Sequence, residues 1–175
     1  DPATGEALIV VSLDHCILDT VELCFIRESM ATMTKVPYQN IQVTLSHTHG
    51  SGWMSRTRSN LPGGEMIGPY LDLLAPGLNL LAVEARARVE SASIVYGFGR
   101  CNLAAHRDFH DVDRRIYDCG FNPDGPADDT LLVARIQNTA GDSIATLVNY
   151  ACHPTTLAWE NTLISPDWVG AMKEV

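Results

Sequence analysis

Apolar residues run almost unbroken from Ala7 to Leu13 and stop at Asp14, the pattern of a strand buried on both faces. From Asp19 the period changes. Val21, Leu23, Cys24, Ile26, Met30 and Met33 recur at helical spacing, Asp19 or Thr20 stands where a cap belongs, and Pro37 lies past the end. Ile41 to Leu45 is a second strand by its β-branched content, and residues 50 to 64 carry the Gly, Ser, Arg and Asn of a loop. Ile67 to Glu90 is apolar at helical spacing, with Pro76-Gly77 as an expected break or kink. Ser93 to Phe98 is a third strand, and Gly99 to Ala127 is a long polar insertion with little periodicity. Thr130 to Gln137 and Ile144 to Tyr150 read as strands joined by the turn residues Asn138 to Asp142, and a further helix opens near Pro166.

Strand–helix–strand–helix–strand order implies right-handed crossovers. The expected class is therefore α/β, with a mixed, mostly parallel central sheet, flanking helices and one hairpin. Neither an internal repeat nor a low-complexity tract interrupts this order. The last helix runs to Val175 without a cap, and the first strand begins almost at once. Residues 1 to 175 are thus expected to be an incomplete part of one larger domain. Downstream residues or a partner chain would cover the remaining sheet edge and core face, and the chain alone would not be competent.

Composition narrows the classes. The chain has 175 residues, of which 46% are hydrophobic and 19% charged, enough for a sizeable core. A net charge of −9 offers no basic surface for nucleic acid. No run of ~18 apolar residues suggests a membrane span, and Asp1-Pro2 opens without the pattern of a signal peptide. The five cysteines, Cys16, Cys24, Cys101, Cys119 and Cys152, form no C-x-x-C pair. Free thiols are favoured over a disulfide framework, and compartment is not legible.

Two stretches carry candidate chemistry. In Ser46-His47-Thr48-His49-Gly50-Ser51-Gly52, strand parity puts His47 and His49 on the same face as Ile41, Val43 and Leu45. The apolar face thus runs into two imidazoles where the strand becomes a loop, the end at which α/β sheets gather ligands. Neutral imidazole is the commonest metal ligand. The second stretch is Asn149-Tyr150-Ala151-Cys152-His153-Pro154-Thr155, where His153 follows an apolar strand and Pro154 ends its ladder. His15 lies near the same edge, while His106 and His110 fall in the polar insertion.

Other motifs fail on spacing. Gly50 and Ser51 replace the Asp-His that a metallo-β-lactamase pattern needs after His-x-His, and neither Lys35 nor Lys173 is placed for an amidohydrolase barrel. The chain has no G-x-S-x-G elbow and no phosphate loop.

The residues that remain resemble the neutral/alkaline (non-lysosomal) ceramidase family, nearest its short microbial members. That family carries a strand ending Thr-His-Thr-His-Ser-Gly-Pro, then Ala-x-His-Gly/Pro-Thr, then Leu-Ile-Ser-x-Asp-x-x-Gly. Here the counterparts are Ser46-His47-Thr48-His49, Ala151-Cys152-His153-Pro154-Thr155 and Leu163-Ile164-Ser165-Pro166-Asp167-Trp168-Val169-Gly170. The strand Val10-Val11-Ser12-Leu13-Asp14 matches the family's first, so the likeness runs in order from about residue 7 to the end. Gly50-Ser51-Gly52 departs from Ser-Gly-Pro.

The resemblance implies that His47 and His153 bind one zinc ion (Zn2+), with a Glu and a Tyr ligand contributed downstream. It implies that His49 faces substrate or transition state, and that an arginine after the third strand, Arg100 with Arg107 as its rival, stabilises an oxyanion. The implied reaction is zinc-dependent hydrolysis of an amide in an N-acyl-sphingosine or related N-acyl substrate, using a metal-activated water. Asp14 and Asp167 are candidates to orient ligating imidazoles, with helix capping as their plainer role. The alternatives are a non-catalytic metal-binding relative, or a metallohydrolase of an ester, lactone or sugar-linked amide.

Overall fold

The first strand, β1 (Ile9–Leu13), and β3 (Ile41–Leu45) pair in parallel with Ile9 opposite Ile41 and Leu13 opposite Leu45. Between them runs α1 (Thr20–Thr34), which completes the predicted strand–helix–strand unit. The structure is a computed structural model that describes residues 4–157 and 160–174. The opening Asp1-Pro2 and the terminal Val175 lie outside the described residues.

The α1 cap shows tertiary contact overriding local chemistry. Asp19 occupies the N-cap position, but its carboxylate caps no backbone N–H and instead accepts the Trp53 indole N–H at 2.8 Å. At the other end Lys35 adopts φ 58° and donates its N–H to Ala31 O, a left-handed stop two residues before Pro37. Arg27 stacks on the Tyr38 ring at 3.8 Å and donates Nε–H to Ile41 O at 2.8 Å, which holds the helix to the start of β3.

Pro76 does not break the second helix. The helix α2 is continuous from Ile67 to Ala87, because Leu71, Ala75, Leu78 and Ala82 pack on α1 and the β1–β3 pair. Met30, wholly buried on α1, sits in the same core with Ile26, Val36 and Ile41. Within Gly64 to Ala87 an 18-residue window has mean hydropathy 1.4, so the stretch is long and apolar enough to cross a membrane by length and composition, contrary to the run-length expectation. In this structure four of its residues are core.

The mostly parallel central sheet expected from element order is not what forms. Among the described residues, the parallel pairs are β1–β3 and the short β2 (Ile17–Leu18) with β4 (Trp53–Met54). The third predicted strand, β5 (Ala92–Arg100), joins an antiparallel sheet in the order β5-β8-β9, with β8 (Thr130–Asn138) and β9 (Ser143–Tyr150). The intervening insertion lets the chain reverse between β5 and β8. That insertion folds as a hairpin of its own, β6 (His106–Asp111) and β7 (Ile116–Asn122), although its polar sequence shows no strand periodicity. The class is mixed α/β.

The chain divides into two units. One comprises Asp1–Val89 with Pro154–Val175, and the other Glu90–His153. The first holds β1–β4, α1, α2 and α3 (Asp167–Lys173); the second holds β5–β9.

Candidate metal centre

Parallel pairing sends the chains leaving β1 and β3 to the same edge of the first unit. Beyond Leu13 and Leu45 the ladder continues for two bonds: Ser46 N–H to Leu13 O and His47 N–H to His15 O, each 2.9 Å. His47 then takes φ 61°, a left-handed conformation costly for a residue with a Cβ. The two imidazoles therefore do not meet through strand alternation, since the strand has ended at Leu45. They meet because the turn at His47 folds the loop back, with ring centroids 5.1 Å apart and planes at 80°.

The loop is pinned on several sides. Thr48 is fully buried and donates its hydroxyl to Ser165 O at 2.7 Å. His49 N–H reaches Pro154 O at 3.1 Å, and Ser165 N–H reaches Gly50 O at 3.0 Å. A Cβ at Gly50 would stand 2.5 Å from Ser165 O, so this approach needs glycine. Ser51 Oγ accepts the Cys16 N–H at 2.7 Å.

Cys16 completes a group that the sequence did not single out. Its Sγ, one ring nitrogen of His47 and one of His49 lie within 4.8 Å of one another. Its sequence signal was position alone, two residues after Asp14 at the edge where the histidines gather. All five cysteines are free thiols; Cys16 is buried and Cys119 exposed. Burial pushes the Cys16 thiol up from its ordinary value. His47 Nδ1 lies 2.9 Å from Cys16 O. A carbonyl only accepts, so Nδ1 carries the proton and Nε2 the lone pair of the neutral ring, the tautomer that metal-binding histidines adopt.

Zinc accepts thiolate at about 2.3 Å and imidazole at about 2.0–2.1 Å, which sets donors of one tetrahedron about 3.3–3.6 Å apart. Sγ and one ring nitrogen each of His47 and His49 lie within 4.8 Å of one another, so the group fits one such ion after a closure of roughly an ångström, within reach of side-chain rotation.

The neighbouring groups have defined partners. His15 is buried, its Nε2 lies 2.6 Å from the Tyr70 hydroxyl, and burial lowers its pKa while Asp14 partly offsets that. Asp14 binds Lys173 Nζ through both oxygens, at 2.8 and 2.9 Å, tying the end of β1 to α3. Asp167 is buried at φ 56° and accepts the backbone N–H groups of Thr156, Leu157 and Trp168 at 3.2, 3.0 and 2.7 Å. Burial pushes its carboxyl up, but these bonds together outweigh it and leave the pKa below the usual carboxylate value.

In the second unit, His153 stands at the end of β9. Its Nδ1 lies 2.7 Å from Arg107 Nη2. Guanidinium only donates, so Nδ1 accepts and the ring proton is on Nε2. Both residues line a polar cavity of about 420 Å³ with His106, Asp108, Cys119 and Asp128. Arg100 is exposed and paired with Asp129, so Arg107, not Arg100, shares a cavity with the histidine.

No family model and no curated protein matches the chain. Solved structures do. The neutral ceramidase from Pseudomonas aeruginosa superposes with a TM-score of 0.55 at 18% identity, over 81% of this chain and 24% of that one. A ceramidase complexed with C2 gives 0.57 at 19% identity, over 84% of this chain and 23% of that one. The chain has the fold of part of a neutral ceramidase. It spans about a quarter of the length of the ceramidases it matches.

Proposed function

We propose that the chain is part of the catalytic domain of a zinc-dependent, ceramidase-like hydrolase that cleaves the amide of an N-acyl substrate. The observation that carries this reading is the gathering of His47 and His49 with Cys16 at one edge of the β1–β3 pair, in a chain with a ceramidase-like fold. In this reading His47 is a ligand, with Nδ1–H on Cys16 O leaving Nε2 for the metal. His153 is the second ligand on the match of its Ala151-Cys152-His153-Pro154-Thr155 motif to the family, its Nδ1 lone pair passing from the Arg107 bond to the metal. When bound, zinc polarises the carbonyl and makes a water available as hydroxide near neutral pH.

The chain's own residues supply orientation and charge. His49 is exposed on the pinned loop, where it faces the substrate and stabilises the developing oxyanion. Arg107, which lines the polar cavity with His153, shares that work as the rival of Arg100, which pairs with Asp129. Asp14 and Asp167 act as positioning residues, fixing α3 and the 156–157 loop.

Metal analysis and kinetics on the intact protein test this. His47→Ala is expected to lose zinc. His49→Ala is expected to keep it while kcat on N-acyl amides falls about 100-fold or more. Equal metal loss in both variants would make His49 a ligand and overturn its assignment. Turnover of esters or lactones without amides would overturn the reaction class.

A further inference from the structure

We propose that Cys16 is a metal ligand in this protein, binding as a thiolate beside His47, so that the site selects a thiophilic divalent ion. The inference deepens the reading above and rests on its assignment of metal to His47. Cys16 is buried but lies outside the main apolar cluster, which gathers around Met30, Ile41 and Leu71. Its surroundings are polar. Its N–H is held by Ser51 Oγ, its carbonyl by His47 Nδ1–H, and its Sγ lies 3.9 Å from the same ring. A cysteine kept for packing has no need of that setting.

Backbone contacts pre-organise the donors. The β1–β3 register brings residues 14 to 16 and 46 to 49 to one edge, and His47 N–H on His15 O joins the two loops. His49 is held separately by Pro154 O. Sγ and a ring nitrogen of His47 then lie within 4.8 Å of each other, with His49 beside them, all in a single unit. Ligation replaces the S–H proton by the metal: Cys16–SH and M²⁺ give the Cys16–S–M bond and one released proton. A sulfur and nitrogen set of this kind favours zinc or cobalt over magnesium or calcium.

Cobalt serves as the probe. Titration of the metal-free intact protein with Co²⁺ is expected to produce a thiolate-to-cobalt charge-transfer band in the near ultraviolet. Cys16→Ser should abolish the band and weaken cobalt binding at least about tenfold, the scale on which even outer-shell losses act. Cys24→Ser should leave both unchanged. On the wild type alone, zinc should slow alkylation of Cys16 and not of Cys24, a readout that survives any folding defect of the variant. Tight cobalt binding that needs His47 but shows no band, or equal Cys16 alkylation with and without zinc, overturns the Cys16 assignment and leaves the His47 reading standing. A wild type that binds neither metal overturns both.

Discussion

His47 and Asp167 are non-glycine residues in the left-handed region, at φ 61° and 56°, and each sits where a loop must turn back on a site or a helix. Such conformations cost of order 1–3 kcal/mol and persist where surrounding bonds over-determine them. Gly50 is the third constrained position. With Ser165 O 2.5 Å from an added Cβ, Gly50→Ala is expected to lower stability by about 1–3 kcal/mol and to disturb the imidazole pair. Thermal unfolding together with zinc content measures both. Asp167 gives a pH signature. Its folded pKa is depressed, so the stability it contributes is present above the unfolded value of about 3.9 and is lost as pH falls through the lower folded value. Asp167→Asn should remove that contribution. Urea unfolding of wild type and variant should therefore differ most near neutral pH and converge in acid; a constant difference would show that ionisation of Asp167 is not what the loop N–H groups stabilise.

At the scale of elements, α2 carries the clearest tension between local and tertiary preference. Pro76 lies inside a 21-residue helix, where it lacks an N–H and crowds the preceding turn. The helix persists because Leu71, Ala75, Leu78 and Ala82 fill one face of the core. Restoring the missing donor should stabilise it, so Pro76→Ala is expected to raise the melting temperature, by an amount corresponding to about 1–3 kcal/mol. A lower melting temperature would mean that the proline ring itself is needed in the packing. The β1–β3 pair is the complementary case: strand order, short loops and apolar runs agree, and the predicted parallel unit forms with no register shift.

At the scale of the whole molecule, much apolar surface is open. On α2, Leu73 is 74% and Leu80 70% exposed. On the β5-β8-β9 sheet, Tyr96, Phe98, Leu132 and Leu147 share one exposed face. Patches of this kind mark surfaces that partners or further chain cover. The chain is therefore expected to bind an environment-sensitive apolar dye strongly in its native state. Leu73→Ser and Phe98→Ser should each lower the dye signal while changing stability by no more than about 0.5 kcal/mol. Undiminished fluorescence in both variants would place the dye elsewhere.

The sequence by itself determined the elements whose signal is local: β1, α1, β3, the β8–β9 hairpin and the opening of α3. There, periodicity, turn residues and prolines act within a few residues of where they stand. It also placed His47 and His49 at the end of β3, though for a reason of strand parity that the φ of His47 replaces. What it could not decide depends on contacts between distant segments. The polar β6–β7 hairpin has no apolar alternation, because strand pairing and not burial holds it. β5 gives no sign of whether its partner is parallel or antiparallel, since both ladders accept the same side chains. Cys16 looks like any small buried residue until the β1–β3 register carries it beside His47. Only the tertiary structure brings a thiol and two imidazoles within 4.8 Å, because backbone bonds between the loops, not the order of residues, set that distance.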